Sequence, residues 1–310
     1  MQLSLADHYR EMLIIRLVEE QLMVAMTSGL VSGSTHLCIG QEAIPVGACS
    51  VLRKDDPLIA TYRGHGWALA RGVSPVDLMA EVMGRDSALN GGRAGSAYLS
   101  APLNHFYGEN SIVGAGVPVA LGLAIACQRA GDGRVPLVSI GDGAMNQGNV
   151  HESLNMGSVL EIPMILMVEN NGYAEMTPSH ALTAVPAIAR AAAYDIPGFE
   201  TDGNDPIAVA STVAKAREIA LAQSTTVLVE AHTHRLAGHY SGDVQAYRPA
   251  GELQEKHESC PLARAEEQLT QDEVTQIRAS VVSYIAHEFA AATQIPAPSP
   301  EGAFDYVFSS

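Results

Sequence analysis

Between Leu5 and about Thr27, Tyr9, Met12, Leu13, Leu17 and Leu22 recur at helical spacing among Arg10, Glu11, Arg16, Glu19 and Glu20. That periodicity predicts an amphipathic opening helix. Further along, Leu58 to Tyr62, Val135 to Ile140, Met164 to Val168 and Thr226 to Glu230 are short runs of β-type composition with helical stretches between them. Alternation of this kind predicts an α/β fold, a parallel sheet with helices on both faces. Gly91 to Ser96 and Gly114 to Pro118 read as turns or loops. After Pro249 the pattern becomes a polar linker, a long helix over Asp272 to Ala291 and a Pro-rich stretch from Ile295 to Pro300. Residues 1–250 are therefore expected to form the α/β domain, and residues 251–310 a helical extension packed on that domain or on a neighbour.

Composition agrees with a large buried core, since 47% of the residues are hydrophobic and only 17% are charged. The formal net charge of -16 argues against nucleic acid as a partner, because phosphate backbones are bound by clustered Lys and Arg. Cys38, Cys49, Cys127 and Cys260 show no C-x-x-C spacing and read as reduced, buried thiols. The first residues lack a basic region followed by an apolar run, and no apolar stretch is long enough to span a bilayer, so a cytoplasmic protein with no membrane partner is expected.

In a parallel α/β sheet, ligands bind beyond the carboxyl ends of the strands, so the residues that follow each apolar run are where chemistry is expected. The run Val135 to Ile140 leads into Gly141-Asp142-Gly143-Ala144-Met145-Asn146-Gln147-Gly148, and a helix is predicted over His151 to Leu160. A helix start reached through glycines offers free N–H groups and a positive dipole end to a diphosphate, although Gly-Asp-Gly is also a common turn. The next run, Met164 to Val168, leads into Glu169-Asn170-Asn171-Gly172-Tyr173. One strand-helix-strand crossover separates Asp142 from Asn171, which brings both to the same sheet edge, where they could share a cation. Magnesium takes hard oxygen ligands, commonly one or two from protein, with phosphates and water completing the shell.

These paired segments resemble the alpha subunits of the thiamine diphosphate-dependent 2-oxoacid and acetoin dehydrogenases, and the likeness extends over nearly the whole chain. The resemblance implies the diphosphate-binding half of the thiamine diphosphate fold. It implies that Asp142, Asn171 and the Tyr173 carbonyl hold magnesium, that Gly143 and Ala144 offer amides to the diphosphate, and that Tyr62 and Arg63 reach it from another loop. Arginine suits that role because its planar fork pairs with two phosphate oxygens. The segment Ile112 to Pro118, with Gly114 and Val117, matches the main chain that touches the aminopyrimidine. His36 and His239 match active-site histidines, and Arg235 matches a diphosphate contact. Histidine suits proton transfer near neutral pH.

The carboxylate that activates the aminopyrimidine belongs, in that family, to a beta subunit, so the resemblance implies an α2β2 partner and sites at alpha-beta interfaces. A lipoyl-bearing acyltransferase core is a further expected partner. Tyr240 and Val244 in Gly238-His239-Tyr240-Ser241-Gly242-Asp243-Val244 look more like acetoin than pyruvate dehydrogenase. Two departures stand out. Ala94-Gly95-Ser96-Ala97-Tyr98 replaces a segment that ends in histidine, and Tyr247-Arg248-Pro249-Ala250-Gly251 lacks the basic and acidic residues of relatives. They leave open a carboligase with a non-lipoyl acceptor. A non-catalytic alpha homologue is the alternative from another class, and the retention of Asp142, Asn171, Arg63 and both histidines speaks against it.

Overall fold

Successive residues of the central strands face two different cores, which is why those strands read as unbroken apolar runs. A computed structural model describes residues 3–302 and 304–305. Met1, Gln2 and the last residues of the expected C-terminal extension lie outside the described residues. In chain order the elements begin with α1 (Leu5–Thr27), α2 (Ala43–Val51), β1 (Leu58–Thr61), α3 (His65–Ala70), α4 (Pro75–Val82), β2 (Phe106–Asn110), α5 (Gly116–Ala130), β3 (Leu137–Gly141), α6 (Gly148–Val159) and β4 (Met164–Asn170). They continue with β5 (Tyr173–Ala174), β6 (Thr177–Pro178), α7 (Ala187–Ala191), β7 (Gly198–Asp202), α8 (Pro206–Gln223), β8 (Thr226–His232), α9 (Glu252–Glu258), α10 (Pro261–Glu266) and α11 (Gln271–Gln294).

Six strands form one sheet in the order β2-β1-β3-β4-β8-β7, and every neighbouring pair is parallel. Met164, Leu166 and Val168 of β4 face a core shared with α5, α6 and α7, whereas Ile165 and Met167 face a second core shared with α1, α2, α8 and α11. This is the two-residue period of a strand expressed in a sheet covered on both sides. Each fully buried side chain of this size stabilises the fold by about 1.5–3 kcal/mol, so β4 is a central stabilising element. The parallel sheet with helices on both faces is as expected.

Local signals set the helix starts. Ser4 and Asp7 form a reciprocal capping box at α1, Thr270 and Glu273 do the same at α11, and Asp205 caps α8 just before Pro206. α1 spans the expected Leu5–Thr27, but its buried side also carries His8 and Glu19, so its inner stripe is not purely apolar.

Other boundaries shift for physical reasons. β3 starts at Leu137 rather than Val135, because Pro136 has no N–H and enters the ladder only through its carbonyl, which accepts from Ile165 N at 2.9 Å. β4 and β8 run two residues beyond the apolar stretch, with Glu169 paired to Ala231 and Asn170 to His232. β2 and β7, the two edges of the sheet, were not anticipated. The expected polar linker after Pro249 contains α9 and α10 before α11. α10 and α11 pack on α1, and α11 also packs on α4, with Val281 and Ile285 in the same core as Tyr9 and Met12.

Candidate active site

Chain order reverses between β1 and β3: from β1 the chain moves outward to β2, then returns to β3 and continues to β4 on the other side. A crevice forms at such a switch point, beyond the carboxyl ends of the strands. A cavity of about 500 Å³ opens there. Its wall includes His36, Tyr62, Arg63, Asp142, Gly143, Ala144, Asn171, Tyr173, Arg235 and His239. Ten of the sequence-predicted residues thus meet in one place, although they come from five separate segments.

Asp142 follows β3 directly and is buried. Burial pushes its carboxyl above the ordinary aspartate range, partly opposed by a hydrogen bond from the Ser179 hydroxyl. Gly143 and Ala144 belong to a short 3-10 turn, Asp142–Asn146, and α6 begins only at Gly148, earlier than the expected His151. The turn is packed tightly, since a Cβ at Gly143 would stand 2.6 Å from the Ala174 Cβ. Just after the neighbouring strand β4, Asn171 Oδ1 accepts from Tyr173 N at 3.1 Å, and Asn171 Nδ2 donates to Gln41 Oε1 at 3.1 Å. These two bonds orient the amide. The Tyr173 side chain turns away and its hydroxyl donates to Glu252 at 2.6 Å.

Arg63 is buried, and its guanidinium donates to the Leu37 carbonyl and, at 2.9 Å, to the His239 carbonyl. It therefore ties together the two segments that carry the histidines. The His36 ring packs edge to face on Tyr62, with ring centres 4.6 Å apart. Burial, reinforced by the Arg63 charge, pushes His36 down to about 3 and His239 to about 4, so both rings are neutral near pH 7. Arg235 donates to the Tyr247 hydroxyl at 2.6 Å and to the Glu175 carbonyl at 3.1 Å. Asp243 accepts from His239 N at 2.6 Å and from the Tyr247 hydroxyl at 2.8 Å, which closes the late loop on itself.

Gly114 and Val117 stand outside the cavity wall, where Ser111 and Val113 take their place. Gly114, at φ 81°, packs against Asn149, whereas Val117 lies inside α5, fully buried in the core shared with α6. Three wall or near-wall residues escaped sequence reasoning. Gln41 presents an Nε2 with no partner among the described residues. Glu169 is buried, accepts from Trp67 Nε1 at 2.8 Å, and has its carboxyl raised by burial. Ser179 reaches Asp142 from the loop after β6. Glu169 stands inside the segment Glu169 to Tyr173 and Gln41 lies on the segment that carries His36, which is the signal that could have found them; Ser179 has none.

All four cysteines are free thiols, three of them buried and Cys49 only partly so. No described helix is long and apolar enough to cross a membrane.

The chain matches the profile of the dehydrogenase E1 component family over residues 10–301. It is 37% identical to the alpha subunit of acetoin:2,6-dichlorophenolindophenol oxidoreductase of Cupriavidus necator, covering 99% of this chain and 95% of that protein. The corresponding Bacillus subtilis subunit is 38% identical, covering 79% of this chain and 74% of that protein. The pyruvate dehydrogenase E1 component subunit alpha of Rhizobium meliloti is 38% identical, covering 94% of this chain and 86% of that protein. The chain therefore belongs to the dehydrogenase E1 component family, which makes it an oxidoreductase subunit and implies thiamine diphosphate as its cofactor.

Proposed function

We propose that this chain is the alpha subunit of an acetoin dehydrogenase, and that it holds the diphosphate of thiamine diphosphate through Mg2+. The observation that carries the reading is the cavity at the sheet's switch point, where Asp142 and Asn171 follow adjacent strands and Arg63, His36 and His239 share the same wall. The residues present fit such a group. Asp142, Asn171 and the Tyr173 carbonyl are hard oxygen donors of the kind magnesium takes. A Cβ built at Gly141 meets nothing within 4 Å, so the backbone there is open to the cavity, and Gln41 Nε2 and Arg235 Nε are donors with no partner among the described residues.

In this reading Gly143 and Ala144 offer amides to the diphosphate, with Tyr62, Arg63 and Arg235 beside them, and the main chain around Gly114 and Val117 faces the aminopyrimidine. Bound thiamine diphosphate supplies the nucleophilic carbon and the electron sink. The chain's own contribution is positioning and proton handling: neutral His36 and His239 accept or return a proton at the substrate oxygen through a free ring nitrogen. The cavity carboxylates, Asp142, Glu169 and Glu175, all lie at or beside the strand ends that carry the proposed magnesium ligands. We therefore assign the activating glutamate to a beta subunit in an α2β2 assembly, and acyl acceptance to a lipoyl-bearing acyltransferase core. Residues 251–310 are taken as an extension of the diphosphate-binding domain. The free thiols support a cytoplasmic setting.

Acetoin is chosen over pyruvate because Tyr240 and Val244 depart from the pyruvate-type loop. Calorimetric titration of co-purified alpha and beta chains with thiamine diphosphate and Mg2+ tests the cofactor site: binding is expected in the wild type and absent in Asp142→Ala, and unchanged binding in that variant overturns the assignment. Acetaldehyde release from acetoin tests the substrate, and carbon dioxide from pyruvate without acetaldehyde from acetoin would replace it.

A further inference from the structure

Beneath the cavity, three buried side chains from distant parts of the chain connect in a line that ends on the backbone of His36. Glu19 of α1 and His65 of α3 are fully buried, and Ser96 nearly so. His65 Nδ1 lies 3.1 Å from Glu19 Oε2, and His65 Nε2 lies 3.0 Å from Ser96 Oγ. Ser96 Oγ accepts from His36 N at 3.4 Å, the longest contact of the set. The far end of the line returns to the same segment, because Glu19 Oε1 accepts from Cys38 N at 2.9 Å and from the Cys38 thiol at 3.0 Å. Between these two grips, the Leu37 carbonyl accepts from Arg63. The peptide that carries His36 is thus held at three consecutive residues.

We propose that Glu19, His65 and Ser96 are positioning residues that hold the His36 ring at the cavity through a one-way chain of hydrogen bonds. Direction follows from the ends. A backbone N–H can only donate, so Ser96 Oγ accepts from His36, and in the proposed direction its own proton goes to His65 Nε2. His65 is then the neutral Nδ1–H tautomer and donates to Glu19. Glu19 Oε1 takes both Cys38 donors, which leaves Oε2 to accept from His65 Nδ1–H. In this arrangement every donor and acceptor of the line is satisfied, as buried polar networks require.

A separate carboxylate fixes the loop that delivers Ser96. Glu81 of α4 is buried and accepts from the Ser87 hydroxyl and from the backbone N–H groups of Asn90 at 3.0 Å, Gly92 at 3.0 Å and Ala94 at 2.7 Å. Held in this way, the loop seats the Ser96 hydroxyl against His65.

The inference rests on the proposed role of His36, and its test separates the two. In the alpha-beta assembly, Ser96→Ala removes the link to His36 without touching the cavity wall. We expect kcat to fall ~10-fold, since sub-ångström misplacement of a reacting group is costly, with the apparent KM for thiamine diphosphate unchanged and Ser96→Thr restoring most of the rate. Glu19→Gln keeps the shape but turns a donor toward His65, reversing the line; its loss should match that of Ser96→Ala, and the double variant should be no worse than either. Nitrogen-15 NMR of the His65 imidazole gives a readout independent of catalysis and should report neutral Nδ1–H. Ser96→Ala retaining wild-type kcat, additive losses in the double variant, or a His65 that is imidazolium or Nε2–H would each overturn the proposal. Full activity in His36→Ala would instead overturn the role of His36, with the NMR result still deciding the direction of the line.

Discussion

The imidazole rings of His36 and His239 stand edge to face with their centres 5.2 Å apart, one from the segment after α1 and the other from the loop after β8. Desolvation and then the Arg63 charge hold both rings neutral, His36 to about 3 and His239 to about 4. Imidazole NMR titration of the cofactor-free assembly should therefore show two histidines that do not protonate between pH 5 and 8, whereas free histidine titrates near 6.5. The sign for stability follows. Unfolded chains bind these protons below about pH 6.5 and the folded chain resists until about 4 at His239 and about 3 at His36, so stability is complete above 6.5 and declines as pH falls toward 3. An ordinary midpoint for both rings would refute the desolvated site.

Arg63 spans the two histidine segments by donating to Leu37 and His239 carbonyls from one planar fork. Lysine has the charge without the fork and cannot hold both at once. Arg63→Lys should lower kcat/KM by about 10²-fold, as expected for displaced reacting groups, while circular dichroism stays native. A variant within a factor of a few of wild type would mean that charge alone suffices.

How far the sequence revealed this molecule depends on where each signal sits. Met164 to Val168 is a contiguous apolar run, so β4 was plain, and the residues directly after it and after β3 gave Asp142 and Asn171. β2 contains Gly108, Glu109 and Asn110, and β7 contains Glu200 and Asp202; as sheet edges they lack a second apolar neighbour, and their composition hides them. α9 buries none of its residues and so reads as linker. Glu19 and His65 were illegible for another reason: a buried polar residue is explained by its partners, and those lie 46 residues apart in sequence. The same limit hid Gln41, whose partner Asn171 is 130 residues away.

Asp56 supports a stability prediction remote from the site. Fully buried, it accepts from Arg217 Nε at 2.8 Å, from Val135 N at 2.8 Å and from Arg53 N at 2.8 Å, joining the starts of β1 and β3 to α8. Asp56→Ala strands two N–H groups and a largely buried guanidinium, and should cost about 3–5 kcal/mol in urea denaturation. Asp56→Asn keeps an acceptor and should cost less. Equal losses in both would place the whole effect in the lost carboxylate charge, not in the stranded N–H groups or the cavity.

Gly143 tests whether the 3-10 turn after β3 must lie close to the hairpin that follows β4. A Cβ there would approach the Ala174 Cβ to 2.6 Å and its Cα to 3.1 Å, distances that neither backbone can absorb without moving. Because Ala174 is the neighbour of Tyr173 in β5, the displacement would separate the Asp142 and Tyr173 oxygens proposed to share one cation. Magnesium demands near-ideal octahedral geometry at 2.0–2.1 Å and tolerates little spread. Gly143→Ala is thus expected to weaken magnesium-dependent binding of thiamine diphosphate at least ~10-fold in calorimetry, with smaller loss when the larger and more flexible Ca2+ replaces Mg2+. Equal weakening with both ions would place the damage at the diphosphate amides and leave the metal geometry intact.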